Sequence, residues 1–123
     1  MRILSVVIPA YNEEDGIAPI LERVLKVKGA VQESPGAIED VEVIVVNDAS
    51  QDRTCDIASS YPDVTVITHS QNKGYGGALK TGFAAAKGEW IGFLDADGTY
   101  PPEEFPALCE AMVSHDADMV LGS

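Results

Sequence analysis

Basic side chains are scarce in this sequence: eight Lys and Arg stand against twenty Asp and Glu in 123 residues, a formal net charge of −12. Such a surface repels nucleic acids and anionic lipid headgroups over at least a Debye length. A nucleic-acid partner is therefore not expected, and an anionic ligand has to be held by a cation or by backbone N–H groups. Cysteine is equally sparse. Cys55 and Cys109 lie far apart, with no C-x-x-C spacing and no neighbouring His, so neither a zinc knuckle nor a redox pair is indicated and both read as reduced packing residues. No apolar run approaches the ~18–20 residues needed to cross a bilayer. The opening "MRILSVVIPAYNEE" is too short in its apolar part, and too acidic after it, to serve as a signal peptide. The chain reads as cytosolic.

What the sequence does contain is an alternation of short β-branched runs with helical patterns, the signature of βαβ units and a mostly parallel sheet. Five strands are predicted: Ile3 to Ile8, Val41 to Val46, Val64 to Thr68, Trp90 to Leu94 and Met119 to Leu121. Their near-continuous apolar character says that both faces of the sheet are covered. Ile17, Ile20, Leu21, Val24 and Leu25 recur at helical spacing behind a run of acids, and predict a first helix ending near Gly29. The polar stretch "GAVQESPGAIED" reads as a surface loop. Further helices are predicted over Thr54 to Ser60, Gly77 to Ala86 and Glu103 to Val113, giving one three-layer α/β/α, Rossmann-like domain over residues 1–123.

In a parallel sheet with right-handed crossovers every strand delivers its carboxyl end to one edge. Three acid-bearing segments then meet there: "PAYNEE" after the first strand, "NDASQD" after the second and "DADGTYPPE" after the fourth. Asp95 and Asp97 leave one strand end together and repel each other unless a cation or a proton separates them. A divalent metal such as Mg²⁺ or Mn²⁺, bridging to phosphate oxygens of a substrate, suits two carboxylates better than a closed cage does. An ordinary acidic turn is the competing explanation of this D-x-D. Asp48 reads as functional and Asp52 as the N-cap of the next helix. Tyr11 and Glu13 offer an aromatic face and a carboxylate to a nucleobase, although Pro9 and Asn12 also suit a plain turn. Gly74, Gly76 and Gly77 fit neither G-x-G-x-x-G nor the P-loop spacing and are assigned to close backbone packing, with Lys73 and Lys80 available to offset phosphate charge. His69 and His115 stand alone and are expected on the surface.

Taken in order, "VVIPAYNEE", "VIVVNDASQDRT", "NKGYGGALKTGF" and "GEWIGFLDADGTYPPEEF" resemble the family 2 glycosyltransferases of GT-A fold over Ile3 to Ser123, and within them the dolichyl-phosphate mannosyltransferase group. The resemblance implies an inverting, metal-dependent transfer of a sugar from a GDP- or UDP-sugar to an acceptor such as a polyprenyl phosphate or a glycan. It implies that Pro9, Tyr11, Glu13, Val46 and Asp48 contact the nucleoside, and that Asp95, Ala96 and Asp97 hold metal and diphosphate. Thr99 occupies a further metal position where many relatives carry Gln. Asn47 replaces the first acid of the usual Asp-Asp pair and Ala49 the customary Gly. The family continues past "LGS" with a phosphate-binding basic residue and an acceptor half, so the sequence is expected to be the donor-binding part of an incomplete domain, with any membrane association arising from the acceptor or from later segments.

The resemblance agrees with the chemistry. As a nucleotide diphosphate departs, negative charge grows on its oxygens, and a metal at Asp95 and Asp97 stabilises it. A phosphate acceptor is already an anion and needs no strong general base. Two rivals remain. "FLDADGT" also fits the nucleophile motif of haloacid dehalogenase-like phosphatases, with Asp95 as nucleophile, but that motif opens its fold and here it follows four strands. A nucleotide-binding fragment without turnover is the other.

Overall fold

The computed structural model describes residues 2–34, 36, 38–95, 102–104 and 120–122. Among them five strands form a single sheet: β1 (Ile3–Ala10), β2 (Asp40–Asn47), β3 (Val64–Thr68), β4 (Trp90–Phe93) and β5 (Val120–Gly122). The spatial order is β3-β2-β1-β4-β5 and every pairing is parallel. The chain works outward from β1 to β3, then crosses back to lay β4 on the other side of β1. That reversal lies between β1 and β4, and a crevice opens where the two strands' flanking connections part.

Both faces are covered, as the apolar runs predict. Leu4, Val6 and Ile8 of β1 and Val41, Val43 and Val45 of β2 pack against Ile17, Ile20, Leu21, Val24 and Val31 of helix α1 (Ile17–Glu33), with Ala58 of α2 (Thr54–Ser59) in the same cluster. The alternate residues Val7, Ile44 and Val46 turn to the opposite face, where Ala78 of α3 (Gly74–Ala85) meets them, flanked by Phe83 and Phe93. Helix α3 approaches β1 closely because Gly82 has no side chain. A Cβ there would lie 2.2 Å from Cγ1 of the fully buried Val7.

Several predicted boundaries need correction. Helix α1 does not stop near Gly29 but runs to Glu33, because Val31 is buried beneath it and extends the packed stripe past the glycine. The acids before it lie outside the helix, whose entry is closed by N–H groups of Gly16 and Ile17 on the Glu13 carbonyl at 3.0 and 2.9 Å. Helix α2 takes Arg53, not Asp52, as its N-cap. Helix α3 starts three residues earlier than predicted, at Gly74, whose φ of +82° is the left-handed conformation that glycine adopts readily. Gly74 and Gly76 therefore do not serve close packing: a Cβ at either would meet nothing within 4 Å. Strand β4 ends at Phe93, although Leu94 N–H still bonds Val7 O at 3.0 Å. The helix predicted over Glu103 to Val113 lies mostly outside the described residues, as do Cys109 and His115, and Glu103 sits in a 3₁₀ turn (Pro102–Glu104). That turn is tied to α1 by a two-bonded ion pair from Arg23 to Glu103, 2.7 and 3.1 Å. Among the described residues no helix is long and apolar enough to cross a membrane.

Candidate functional site

The carboxyl ends of β1, β2 and β4 border a cleft of about 540 Å³. Pro9, Ala10, Tyr11 and Glu13 line it from β1, Asp48 from β2 and Asp95 from β4, while Asn72, Gly74, Tyr75 and Ala78 close it from the start of α3. Five of the predicted site residues, Pro9, Tyr11, Glu13, Asp48 and Asp95, are thus brought together although up to 86 positions separate them in sequence. Val46 is not with them. Its side chain is fully buried against α3 with Val7 and Ile44, because β2 alternates its faces and Val46 points into the core, where it gives a ligand no surface. Ala96, Asp97 and Thr99 lie outside the described residues.

The two connections that form one wall are laced together by backbone-to-side-chain hydrogen bonds. Asn12, at φ 52°, donates its N–H to Ser50 Oγ at 3.0 Å and accepts the N–H of Gln51 on Oδ1 at 2.8 Å. Glu13 N–H donates to Thr54 Oγ1 at 2.8 Å. Asp52 accepts the N–H of Thr54 on one oxygen at 2.9 Å and that of Glu14 on the other at 3.1 Å, so its work is to join the loops. Asn47 Oδ1 accepts from Ser50 N–H at 3.1 Å, a turn contact that an acid in its place would also make. Ala49 keeps the left-handed conformation, φ 62°, that a glycine would adopt there without strain.

Asp48 is almost completely buried, 3% exposed. Its Oδ1 accepts from His69 Nδ1 at 2.7 Å and from the N–H of Lys73 at 2.8 Å, and its Oδ2 accepts from the N–H of Gly74 at 2.9 Å. Burial pushes the carboxyl up, but the bonds from His69, Lys73 and Gly74 together outweigh it and hold the group below its ordinary value, so it is ionised at neutral pH. His69 is the residue that sequence reasoning misplaced. It is 6% exposed, not on the surface, and its Nε2 lies 2.8 Å from Thr81 Oγ1. The signal was positional: β3 also delivers its carboxyl end to this rim, so "THSQNKGY" belongs with the other three segments. Tyr75, equally unforeseen, is half-exposed and donates its phenolic O–H to Asp95 Oδ1 at 2.9 Å.

Among the described residues the cleft lining carries the carboxylates of Glu13, Asp48 and Asp95 and neither Lys nor Arg. The side chains of Lys73 and Lys80 are exposed but do not line it. The donor set is oxygen throughout, without Cys or His, which is the chemistry that hard divalent cations such as Mg²⁺ and Mn²⁺ take and that soft metals do not. Among the described residues no three acidic, His or Cys side chains converge to hold a metal ion.

A model of the family described as "Glycosyl transferase family 2" matches residues 5–123. The chain belongs to that family. It is 40% identical, over 123 residues, to a low-salt glycan biosynthesis hexosyltransferase, Agl6, of Haloferax volcanii, covering 98% of this chain and 27% of that protein. It is 36% identical over 124 residues to a dolichol-phosphate mannosyltransferase of Pyrococcus furiosus, covering 98% and 32%. In three dimensions it is similar to the mannosyltransferase PcManGT of Pyrobaculum calidifontis, solved with GDP-Man and Mn²⁺, at a TM-score of 0.67 and 28% identity over 89% of this chain and 31% of that one. The fold is that of the GT-A glycosyltransferases. The chain spans about a third or less of these relatives' lengths. Family membership displaces the phosphatase reading of Asp95, which follows the fourth strand of the chain rather than the first.

Proposed function

We propose that this chain is the donor-binding part of a metal-dependent glycosyltransferase that moves a sugar from a GDP- or UDP-sugar to a polyprenyl phosphate or a glycan acceptor. The observation that carries the proposal is the charge of the cleft. A diphosphate cannot rest beside Glu13 and Asp95 with no Lys or Arg among the described lining residues unless a cation lies between. Asp95, with Asp97 next to it in the D-x-D, would hold that cation, Mg²⁺ or Mn²⁺. When bound, the metal neutralises the charge that develops on the departing diphosphate.

This chain's own residues do the rest. Tyr11, 47% exposed on the cleft wall, offers a ring face to the nucleobase, and Asp48 offers an acceptor to its N–H edge. Pro9 and Ala10 end β1 in the cleft lining and Glu13 lines it beside them; by the family resemblance Glu13 would contact the nucleoside and Ala96, Asp97 and Thr99 would complete the diphosphate and metal positions. The phosphate acceptor is supported by the dolichol-phosphate mannosyltransferase relative, and the metal and nucleotide by the GDP-Man and Mn²⁺ found in the Pyrobaculum enzyme. The site would work in the cytosol, at the cytosolic face of the membrane when the acceptor is lipid-borne.

Titration calorimetry with UDP and GDP, with and without Mn²⁺, tests the reading. Binding of one nucleotide that strengthens at least about tenfold with Mn²⁺, and loses that gain in Asp95→Ala, is expected. Binding indifferent to metal in both proteins contradicts it.

A further inference from the structure

Tyr75 is held where folding gains little from it. Among the described residues Tyr11 and Tyr75, 47% and 51% exposed, are the large hydrophobic side chains left open to water, and both line the cleft. Aromatic rings kept at a concave surface rather than folded into a core offer contact area to a ligand. The phenolic O–H of Tyr75 rests on Asp95 Oδ1 at 2.9 Å, yet a half-exposed hydroxyl that exchanges water for a carboxylate has little net gain to show for it. The peptide that carries the ring is nevertheless fixed. The N–H groups just before it, of Lys73 and Gly74, are bound by the buried Asp48 carboxylate at 2.8 and 2.9 Å, and Gly74 N–H also reaches Asn72 Oδ1 at 3.1 Å. A rigid mount under an exposed functional group is what a binding residue needs.

The make-up of the cleft says what the hydroxyl is for. A cation neutralises part of a diphosphate's charge, but the remaining phosphate oxygens still need hydrogen-bond donors, and the described lining residues include neither Lys nor Arg. Their side-chain donors are Tyr11, Asn72 and Tyr75. Asn72 Nδ2 is already directed at the Asp48 carbonyl, at 3.4 Å, whereas the Tyr75 hydroxyl lies beside Asp95. We infer that Tyr75 is a ligand-contacting residue for the diphosphate: its O–H is held by Asp95 until cation and nucleotide bind, and is then given to a phosphate oxygen. This rests on the metal and nucleotide reading of the cleft. A phenol owns one hydrogen and serves one strong acceptor at a time. A cation drawing on the Asp95 carboxylate weakens it as an acceptor, while a phosphate oxygen brought to the same cation is a charged acceptor and takes the hydrogen bond over. No proton is transferred; the hydrogen stays on the phenol. A neutral hydroxyl suits this place better than a lysine, whose charge would compete with the cation for Asp95.

The test compares diphosphate with nucleoside in the unaltered chain and in Tyr75→Phe, which keeps the ring and removes the hydroxyl. Both proteins are saturated with the divalent cation, so that any change in metal affinity drops out. UDP or GDP, whichever the unaltered chain binds, should bind the variant about tenfold or more weakly by calorimetry, as expected for a lost hydrogen bond to a charged oxygen. The matching nucleoside, uridine or guanosine, should bind the two proteins alike in an NMR shift titration. A loss shared equally by nucleoside and diphosphate would reflect the shape of the cleft, and an unchanged diphosphate affinity would leave Tyr75 acting on Asp95 alone; either result overturns the inference. A second readout needs no variant. With Mg²⁺, which is diamagnetic, the carbon-13 signal of Tyr75 Cζ should shift on addition of the diphosphate and stay in place on addition of the nucleoside, and a signal that ignores the diphosphate also overturns it. If the unaltered chain binds no nucleotide with the cation present, the reading of the cleft fails and this inference with it; if it binds and Tyr75→Phe matches it, this inference alone fails.

Discussion

The two aspartates that face the cleft from β2 and β4 are built on opposite plans. Asp48 is buried, accepts three hydrogen bonds from His69, Lys73 and Gly74, and is locked into the loop that opens α3. Asp95 is partly exposed and, among the described residues, accepts a hydrogen bond from the half-exposed Tyr75. A group that has to present one acceptor in one direction gains from being fixed before the ligand arrives, because the ordering entropy is then spent in folding. A group that has to enter the coordination shell of a cation gains from having few partners to give up. On the proposed function, the rim would couple a rigid side suited to recognition with a side left open to exchange.

That contrast can be broken from either end. Asp48→Ala leaves the buried His69 ring and the N–H groups of Lys73 and Gly74 without their acceptor and should destabilise the fold by about 3–5 kcal/mol, read as a fall in the urea midpoint. Asp95→Ala should leave that midpoint within about 0.5 kcal/mol of the parent, yet lower turnover of the intact enzyme by about 10²-fold, or roughly 3 kcal/mol. Equal stability losses in the two variants would erase the distinction. Gly82→Ala, which forces a methyl against Val7 under the cleft floor, should destabilise by about 1–3 kcal/mol without altering metal affinity. Ala49→Gly relieves a left-handed alanine beside Asp48 and should raise stability by up to about 1 kcal/mol. Tyr75→Phe removes the hydrogen bond to Asp95, and should weaken Mn²⁺ binding by less than about tenfold while leaving the melting temperature in place.

Acid sharpens the same comparison. The Asp48 carboxyl lies below its ordinary 3.8 in the folded chain, so its contribution is fully present above that value and is lost as pH falls through the depressed folded value. Thermal stability should thus decline below about pH 4, and Asp48→Asn should flatten that part of the profile. A decline of unchanged steepness in the variant would assign it to other carboxylates held low in the same way, Asp40 beside Lys28 and Glu103 beside Arg23.

Much of this arrangement was legible before any coordinates. Periodicity located β1 and β2 because their burial is nearly continuous on both faces, and the rule that parallel strands end at one edge gathered Tyr11, Glu13, Asp48 and Asp95. What escaped depends on contacts that no local pattern encodes. His69 looks like a solitary surface residue until β3 sets it behind Asp48, and Tyr75 looks like one aromatic among glycines until α3 carries it to Asp95. Gly29 misled in the other direction, because tertiary burial of Val31 overrides a weak helix former. Val46 was assigned to the ligand through family resemblance, and strand alternation turned it into the core.

The central claim is that a cation sits at the β4 end of this cleft and binds a nucleotide diphosphate there. Paramagnetic broadening by Mn²⁺ in the presence of GDP or UDP tests it most directly. The account predicts that the amide signals of Tyr75 and Asp95 broaden first, while those of Glu42 and Lys87, joined at the opposite edge of the sheet by a 2.9 Å hydrogen bond, stay sharp. Broadening centred on that opposite edge, or none at the cleft, would contradict it.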